Sequence, residues 1–154
     1  MKVLFLHGLE GSPTGGKVTY LRDAGLEVVA PALPKDDFAK SVDLAREHLT
    51  DDIGFVIGSS RGGAVALALG STKPTILLAP AWKKYGFGTA PNPVPTTTSD
   101  KVFVFHGEYD DVIDFADSVK LKKHNERVSL VVNQDDHRQL NQMPALVEII
   151  KSNP

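Results

Sequence analysis

Gly58-x-Ser60-x-Gly62 joins an apolar run, Phe55 to Ile57, to a small-residue run that begins at Arg61. Glycines two residues to either side of a serine suit a strand that turns sharply into a helix, lifting one hydroxyl clear of the sheet where neighbouring Cβ atoms have no room. A serine held this way is a candidate nucleophile. At neutral pH it needs a base to take its proton, and the base needs a carboxylate to fix its tautomer and stabilise its charged form. The chain has no cysteine, so thiolate nucleophiles, disulfides and cysteine-zinc sites all drop out.

Five histidines compete for the role of base. His48 and His124 fall inside expected helices, while His7 and His106 end strands and read as residues that pin their own loops. His137, next to Asp136 in the loop after the last strand, is the candidate. For the acid, Asp110 and Asp111 are rivals that register alone does not separate. The spacing His106-Gly107-x-x-Asp110 favours Asp110.

Other groupings suggest other chemistry. Glu108, Asp110, Asp111 and Asp114 form an acidic cluster, but they lack the ligand spacing and glycine of a calcium loop, and the chain contains no His-Glu-x-x-His. Gly11-x-x-x-x-Gly16-Lys17 fits seven positions of a phosphate-binding loop and fails at the eighth, where Val18 stands in place of a magnesium-binding serine or threonine. Lys17 then reads as a solvated residue of the first helix. Trp82, Tyr85 and Phe87 are candidates to wall an acyl pocket, or equally to fasten a glycine-rich loop by packing. The Arg61 side chain reads as a partner in a structural ion pair more readily than as a contact to an acidic substrate group.

The elements that must carry these residues alternate. Short apolar runs predict strands at Val3 to Leu6, Leu26 to Ala30, Gly54 to Gly58, Thr75 to Ala79, Val102 to Phe105 and Val128 to Val132. Helices are expected from about Thr14 to Ala24, Asp36 to Leu49, Arg61 to Leu69, Phe115 to Lys123 and Gln139 to Lys151. Residues 81 to 99 break the alternation with glycines, three prolines and a run of three threonines at 96 to 98, and read as a surface excursion, a short lid or cap-like loop. Strands alternating with helices of about ten residues predict an α/β class: a doubly wound, six-stranded, mostly parallel sheet with helices on both faces. Ligands of such sheets bind beyond the carboxyl ends of the strands, where Ser60, Asp110 and His137 all fall.

With these motifs in order, the chain resembles the α/β-hydrolase superfamily, trimmed to six strands, and is similar to its small bacterial serine esterase members. The matching residues are His7-Gly8 after the first strand, Gly58-Ser59-Ser60-Arg61-Gly62-Gly63 at the elbow, His106-Gly107-x-x-Asp110-x-x-Ile113 after the fifth strand and Asp136-His137 after the sixth. The resemblance spans essentially the whole chain, 1 to 154, as one domain. It implies the chain order nucleophile, acid, base, met by Ser60, Asp110 and His137. It also implies an oxyanion hole made by the backbone N–H groups of Leu9 and Arg61. Two strands of the larger fold are missing, and only the 81 to 99 loop stands where a cap domain usually sits.

Composition leaves small-molecule partners as the default. A formal charge of -2 and the absence of like-charge runs give no footprint for nucleic acid or a membrane surface. The first apolar run is too short for a signal-peptide core, no stretch approaches a membrane span, and the expected address is the cytoplasm. The expectation is a serine hydrolase acting on a small-molecule acyl substrate, carboxylic ester or thioester, with no cofactor. Other acyl transfers on the same residues (amide or lactone cleavage, perhydrolysis) and a non-catalytic binding protein of the same fold are the alternatives.

Overall fold

The computed structural model describes residues 1–85 and 94–153. Six strands, β1 (Lys2–Leu6), β2 (Glu27–Val29), β3 (Ile53–Ser59), β4 (Thr75–Leu78), β5 (Val102–Gly107) and β6 (Val128–Asn133), form one sheet in the order β2-β1-β3-β4-β5-β6. Every pairing is parallel. The helices are α1 (Gly16–Asp23), α2 (Phe38–His48), α3 (Arg61–Leu69), α4 (Phe115–His124) and α5 (Met143–Ser152). Among the described residues, no helix is long and apolar enough to cross a membrane.

The two-residue period of the strands sorts their side chains into two cores. Val3, Phe5, Phe55, Ile57, Ile76 and Leu78 point to one face and pack with Val18 and Leu21 of α1 and with Leu146 and Ile150 of α5. Leu4, Leu6, Val56, Leu77 and Val104 point to the other and pack with Ala45 of α2, Val65 and Leu69 of α3 and Leu121 of α4. Both faces of each central strand are therefore apolar, which is why these strands read as continuous apolar runs.

The largest departure from the expected boundaries is at the start of α5; α1 also starts late, at Gly16 after a turn-rich loop, and α2 at Phe38. A 3-10 turn over Leu140–Gln142 precedes α5, because Gln139 takes a left-handed backbone (φ 57°) that no α-helix admits. The 81 to 99 region contains a 3-10 turn over Trp82–Tyr85, and its centre, including Phe87, lies outside the described residues.

The strand order reverses between β1 and β3, so the chain leaves these neighbours toward opposite edges of the sheet. A crevice opens at their carboxyl ends. Leu6 and Gly58 pair at that point, placing the loops that carry His7 to Leu9 and Ser60 side by side.

Close approach explains the glycines at the elbow. A methyl group on Gly62 would stand 1.9 Å from the carbonyl oxygen of Leu6, and one on Gly58 would stand 2.4 Å from the carbonyl oxygen of Gly62. Both obstacles are backbone, so relief requires parting α3 from β1 in the first case and from β3 in the second. Gly62→Ala is expected to cost about 3 kcal/mol through overpacking. A lower urea midpoint would show this, and an unchanged midpoint would contradict the close approach.

Candidate active site

Ser60 sits between β3 and α3 with φ 55° and ψ -115°. A non-glycine residue in this region is strained, and the surrounding bonds hold it there. Its N–H donates to the Leu78 carbonyl (2.9 Å), and its carbonyl accepts from Gly63 N–H (2.9 Å) and Ala81 N–H (3.0 Å). The elbow is thus tied to β4 and to the segment after it.

His137 bridges the other two residues. Its Nε2 lies 3.0 Å from Ser60 Oγ and its Nδ1 lies 2.8 Å from Asp110 Oδ2. With the proton on Nδ1 donated to the carboxylate, Nε2 is left free to accept from the serine hydroxyl. The Asp110 side chain is fully buried while His137 is 18% exposed, so the carboxylate is sequestered and the imidazole reaches the cleft.

Burial alone would push the Asp110 carboxyl up. The Ile113 N–H, His137 and the Val112 N–H outweigh it and hold the group below its ordinary value. Oδ1 takes the two backbone bonds, at 2.9 Å and 2.8 Å, and Oδ2 faces both His137 and His106 Nε2, the latter 3.1 Å away. Asp111 is exposed and makes none of these contacts. The other carboxylates of the acidic cluster go elsewhere: Asp114 caps α4 through Ala116 N–H, and Glu108 accepts from Gln134.

His106 is buried against Ser118 Oγ (2.6 Å), the Ile113 carbonyl (3.0 Å) and, edge-on, the Phe115 ring. Desolvation holds its imidazole below the ordinary value, opposed by the Ile113 carbonyl and by Asp110. The unfolded chain takes up a proton near pH 6.5 that folded His106 resists, so stability falls as the pH drops below about 6.5. The depressed Asp110 acts lower: its contribution is present above about pH 4 and is lost as the pH falls through its folded value. His106→Asn should therefore flatten the decline in Tm between pH 7 and 5 and leave the decline below pH 4. An unaltered slope between pH 7 and 5 would contradict the buried neutral imidazole.

His7 pins the first loop and ties it to the second: Nδ1 donates to the Gly8 carbonyl (2.7 Å), and Nε2 accepts from Leu33 N–H (3.0 Å). Among the described residues, the N–H groups of Leu9 and Arg61 have no acceptor within the protein. The Arg61 N–H begins α3, where the helix dipole favours negative charge.

Among the described residues the Arg61 side chain makes no ion pair. Its guanidinium is buried, donates to the Pro34 carbonyl (2.8 Å) and Ser41 Oγ (3.1 Å), and lies 5.6 Å and 5.5 Å from the ring centroids of Phe38 and Tyr85. It fastens α3 to the loop before α2 and to the turn that carries Tyr85.

A cleft of about 720 Å³ opens onto Ser60 and His137, lined also by Gly8, Leu9, Ala81 and Tyr85. Tyr85 fits its expected place on the wall while stacking on Phe38. Trp82 corrects the expectation: it is 1% exposed, packs in the α3 core, donates its indole N–H to the Asp117 carbonyl at 3.1 Å and does not line this cleft. Lys17 corrects another, because it is half-buried and lines this cleft.

One group of positioning residues carries no sequence signal. Buried Gln139 and half-buried Asn133 exchange amide hydrogen bonds at 2.7 Å and 3.0 Å, and Gln139 Nε2 also donates to the Asp136 carbonyl at 2.8 Å. These bonds brace the loop that holds His137. Polar residues in a loop have no periodicity from which such a partner could be read.

No protein-family model and no curated protein matches the sequence. Solved structures do match. The ydeN gene product of B. subtilis aligns with a TM-score of 0.77 at 15% identity, over 99% of this chain and 97% of that one. Alpha/beta hydrolase domain-containing protein 10 from mouse aligns with a TM-score of 0.73 at 15% identity, over 98% and 88%. Est1E from Butyrivibrio proteoclasticus aligns with a TM-score of 0.72 at 17% identity, over 98% and 85%. The chain has the α/β-hydrolase fold, in a form with six parallel strands.

Proposed function

We propose that this protein is a serine hydrolase that cleaves small carboxylic esters or thioesters through an acyl-enzyme. The observation that carries the reading is the unbroken relay from buried Asp110 through His137 to Ser60 Oγ, with spacings of 2.8 Å and 3.0 Å, opening on the cleft. A shared fold alone would not assign a chemistry.

Ser60 Oγ attacks the substrate carbonyl carbon as its proton passes to His137 Nε2. The carbonyl oxygen becomes an oxyanion held by the N–H groups of Leu9 and Arg61, donors of a type worth about 100- to 1,000-fold in rate each. The intermediate collapses, the bond to the leaving oxygen or sulfur breaks, and His137 returns the proton to that atom. A water molecule then gives its proton to His137 and attacks the acyl carbon; the bond from that carbon to Ser60 Oγ breaks, His137 returns the proton to Oγ, and the acid leaves. Asp110 keeps its charge throughout and steadies the imidazolium. Side chains, backbone N–H groups and water suffice for every step.

In this reading residues 1–154 act as one hydrolase domain in the cytoplasm, and the 81 to 99 loop is a short cap over an open site. The test is a panel of p-nitrophenyl esters of increasing acyl length. Turnover of the short members is expected, whereas no turnover at any length would sink the proposal.

A further inference from the structure

Lys17 stands on the first turn of α1, facing the cleft that contains Ser60 and His137. It is half-buried, and among the described residues its ammonium has no salt bridge and no side-chain hydrogen bond. Desolvation pushes it below the ordinary lysine value, assisted by the nearby Arg138 and opposed by Asp136 and Asp135. Those two carboxylates have other partners: Asp135 accepts from Asn141 and from Asp136 N–H, and Asp136 accepts from Arg138 N–H. Asp136 is exposed, as are Glu10 and Asp111, the other acidic residues on the cleft wall. Arg138, itself exposed, lines the same cleft and acts on Lys17 as a like charge, so two cations face the cleft that Ser60 also lines. Withdrawing an ammonium from water beside a second cation is unfavourable unless an anion joins them.

We propose that Lys17, supported by Arg138, binds an anionic group of the substrate, so that the preferred ester or thioester carries a second, negatively charged group such as a carboxylate. The inference rests on the hydrolase reading and narrows its substrate class. A carboxylate could lie on either side of the scissile bond, and the cleft's position next to Ser60 suits both. Lys17 is then a specificity residue, because it contacts a part of the substrate that does not react.

The test compares kcat/KM within two matched pairs. Mono-p-nitrophenyl glutarate against p-nitrophenyl valerate places the charge on the acyl side, and 3-acetoxybenzoate against its methyl ester places it on the leaving side. The anionic member of at least one pair should be preferred. Lys17→Gln should lower its kcat/KM about 10- to 100-fold, the range for one lost charge-assisted hydrogen bond, and change its neutral partner less than about threefold. Lys17→Arg should retain the preference. Added salt should weaken the wild-type preference, a readout that needs no variant.

No preference in either pair, or equal losses on both members in Lys17→Gln, would overturn the proposal while leaving the hydrolase reading intact. Glutarate binding to the Ser60→Ala protein, measured by calorimetry, separates the two claims in the other direction. Binding that disappears with Lys17→Gln, with no ester turned over by the wild type, would keep the anion subsite and remove the hydrolase.

Discussion

Ser60→Ala is expected to lower kcat on any ester the protein turns over by about a millionfold, the scale at which removing the nucleophile of a serine triad acts. The reason is geometric. Ser60 Oγ is the atom 3.0 Å from His137 Nε2 at the mouth of the cleft, and Ser59, its neighbour, is buried in the last position of β3. Alanine keeps the elbow's backbone bonds to Leu78, Gly63 and Ala81, so the oxyanion donors should survive and substrate binding should change little. Loss confined to kcat, with melting temperature preserved, is the expected signature. A decline of less than about tenfold would mean that another group performs the attack.

Asp110→Asn should lower turnover about 10,000-fold, while Asp111→Asn changes it little. Asparagine at 110 would still accept the N–H groups of Val112 and Ile113 through its oxygen. Its amide nitrogen would then face the Nδ1–H of His137, which the carboxylate oxygen now accepts. Two donors would then meet. His137 could answer only by moving its proton to Nε2, which disables it as a base toward Ser60. Asp111 is exposed and holds no such partners, so its amide should leave rate and pH profile almost unchanged. Equal, small effects at both positions would show that neither is the acid.

Much of the fold was legible in the sequence because its strands are buried on both faces. Val3 to Leu6 and Phe55 to Ile57 read as strands since each side chain meets one core or the other. The helix from Arg61 to Leu69 was read to its end residues, because Gly58 and Gly62 mark its start and Gly70, with φ 61°, marks its end. Boundaries slipped where loop geometry decided, as at α5, whose start is displaced by the left-handed Gln139.

The site was legible to the extent that strand ends are. Ser60, Asp110 and His137 follow β3, β5 and β6, and parallel strands bring such ends to one edge of a sheet. Side-chain direction was not legible. Trp82 and Tyr85 are three residues apart on one 3-10 turn, yet one enters the core and the other the cleft. Arg61 points away from the cleft because Phe38 and Pro34, more than twenty positions earlier, offer its guanidinium a ring face and a carbonyl. Lys17 looked like an ordinary solvated lysine because the crevice beside it is formed by loops distant in sequence.

The most direct measurement of the central claim is the mass of the protein after reaction with a fluorophosphonate, which captures a serine only when a base and an oxyanion site activate it. One phosphonyl group per chain is expected, located by peptide mapping at Ser60, absent in Ser60→Ala and greatly slowed in His137→Ala. No label on the wild type, or a label that persists in Ser60→Ala, would contradict it.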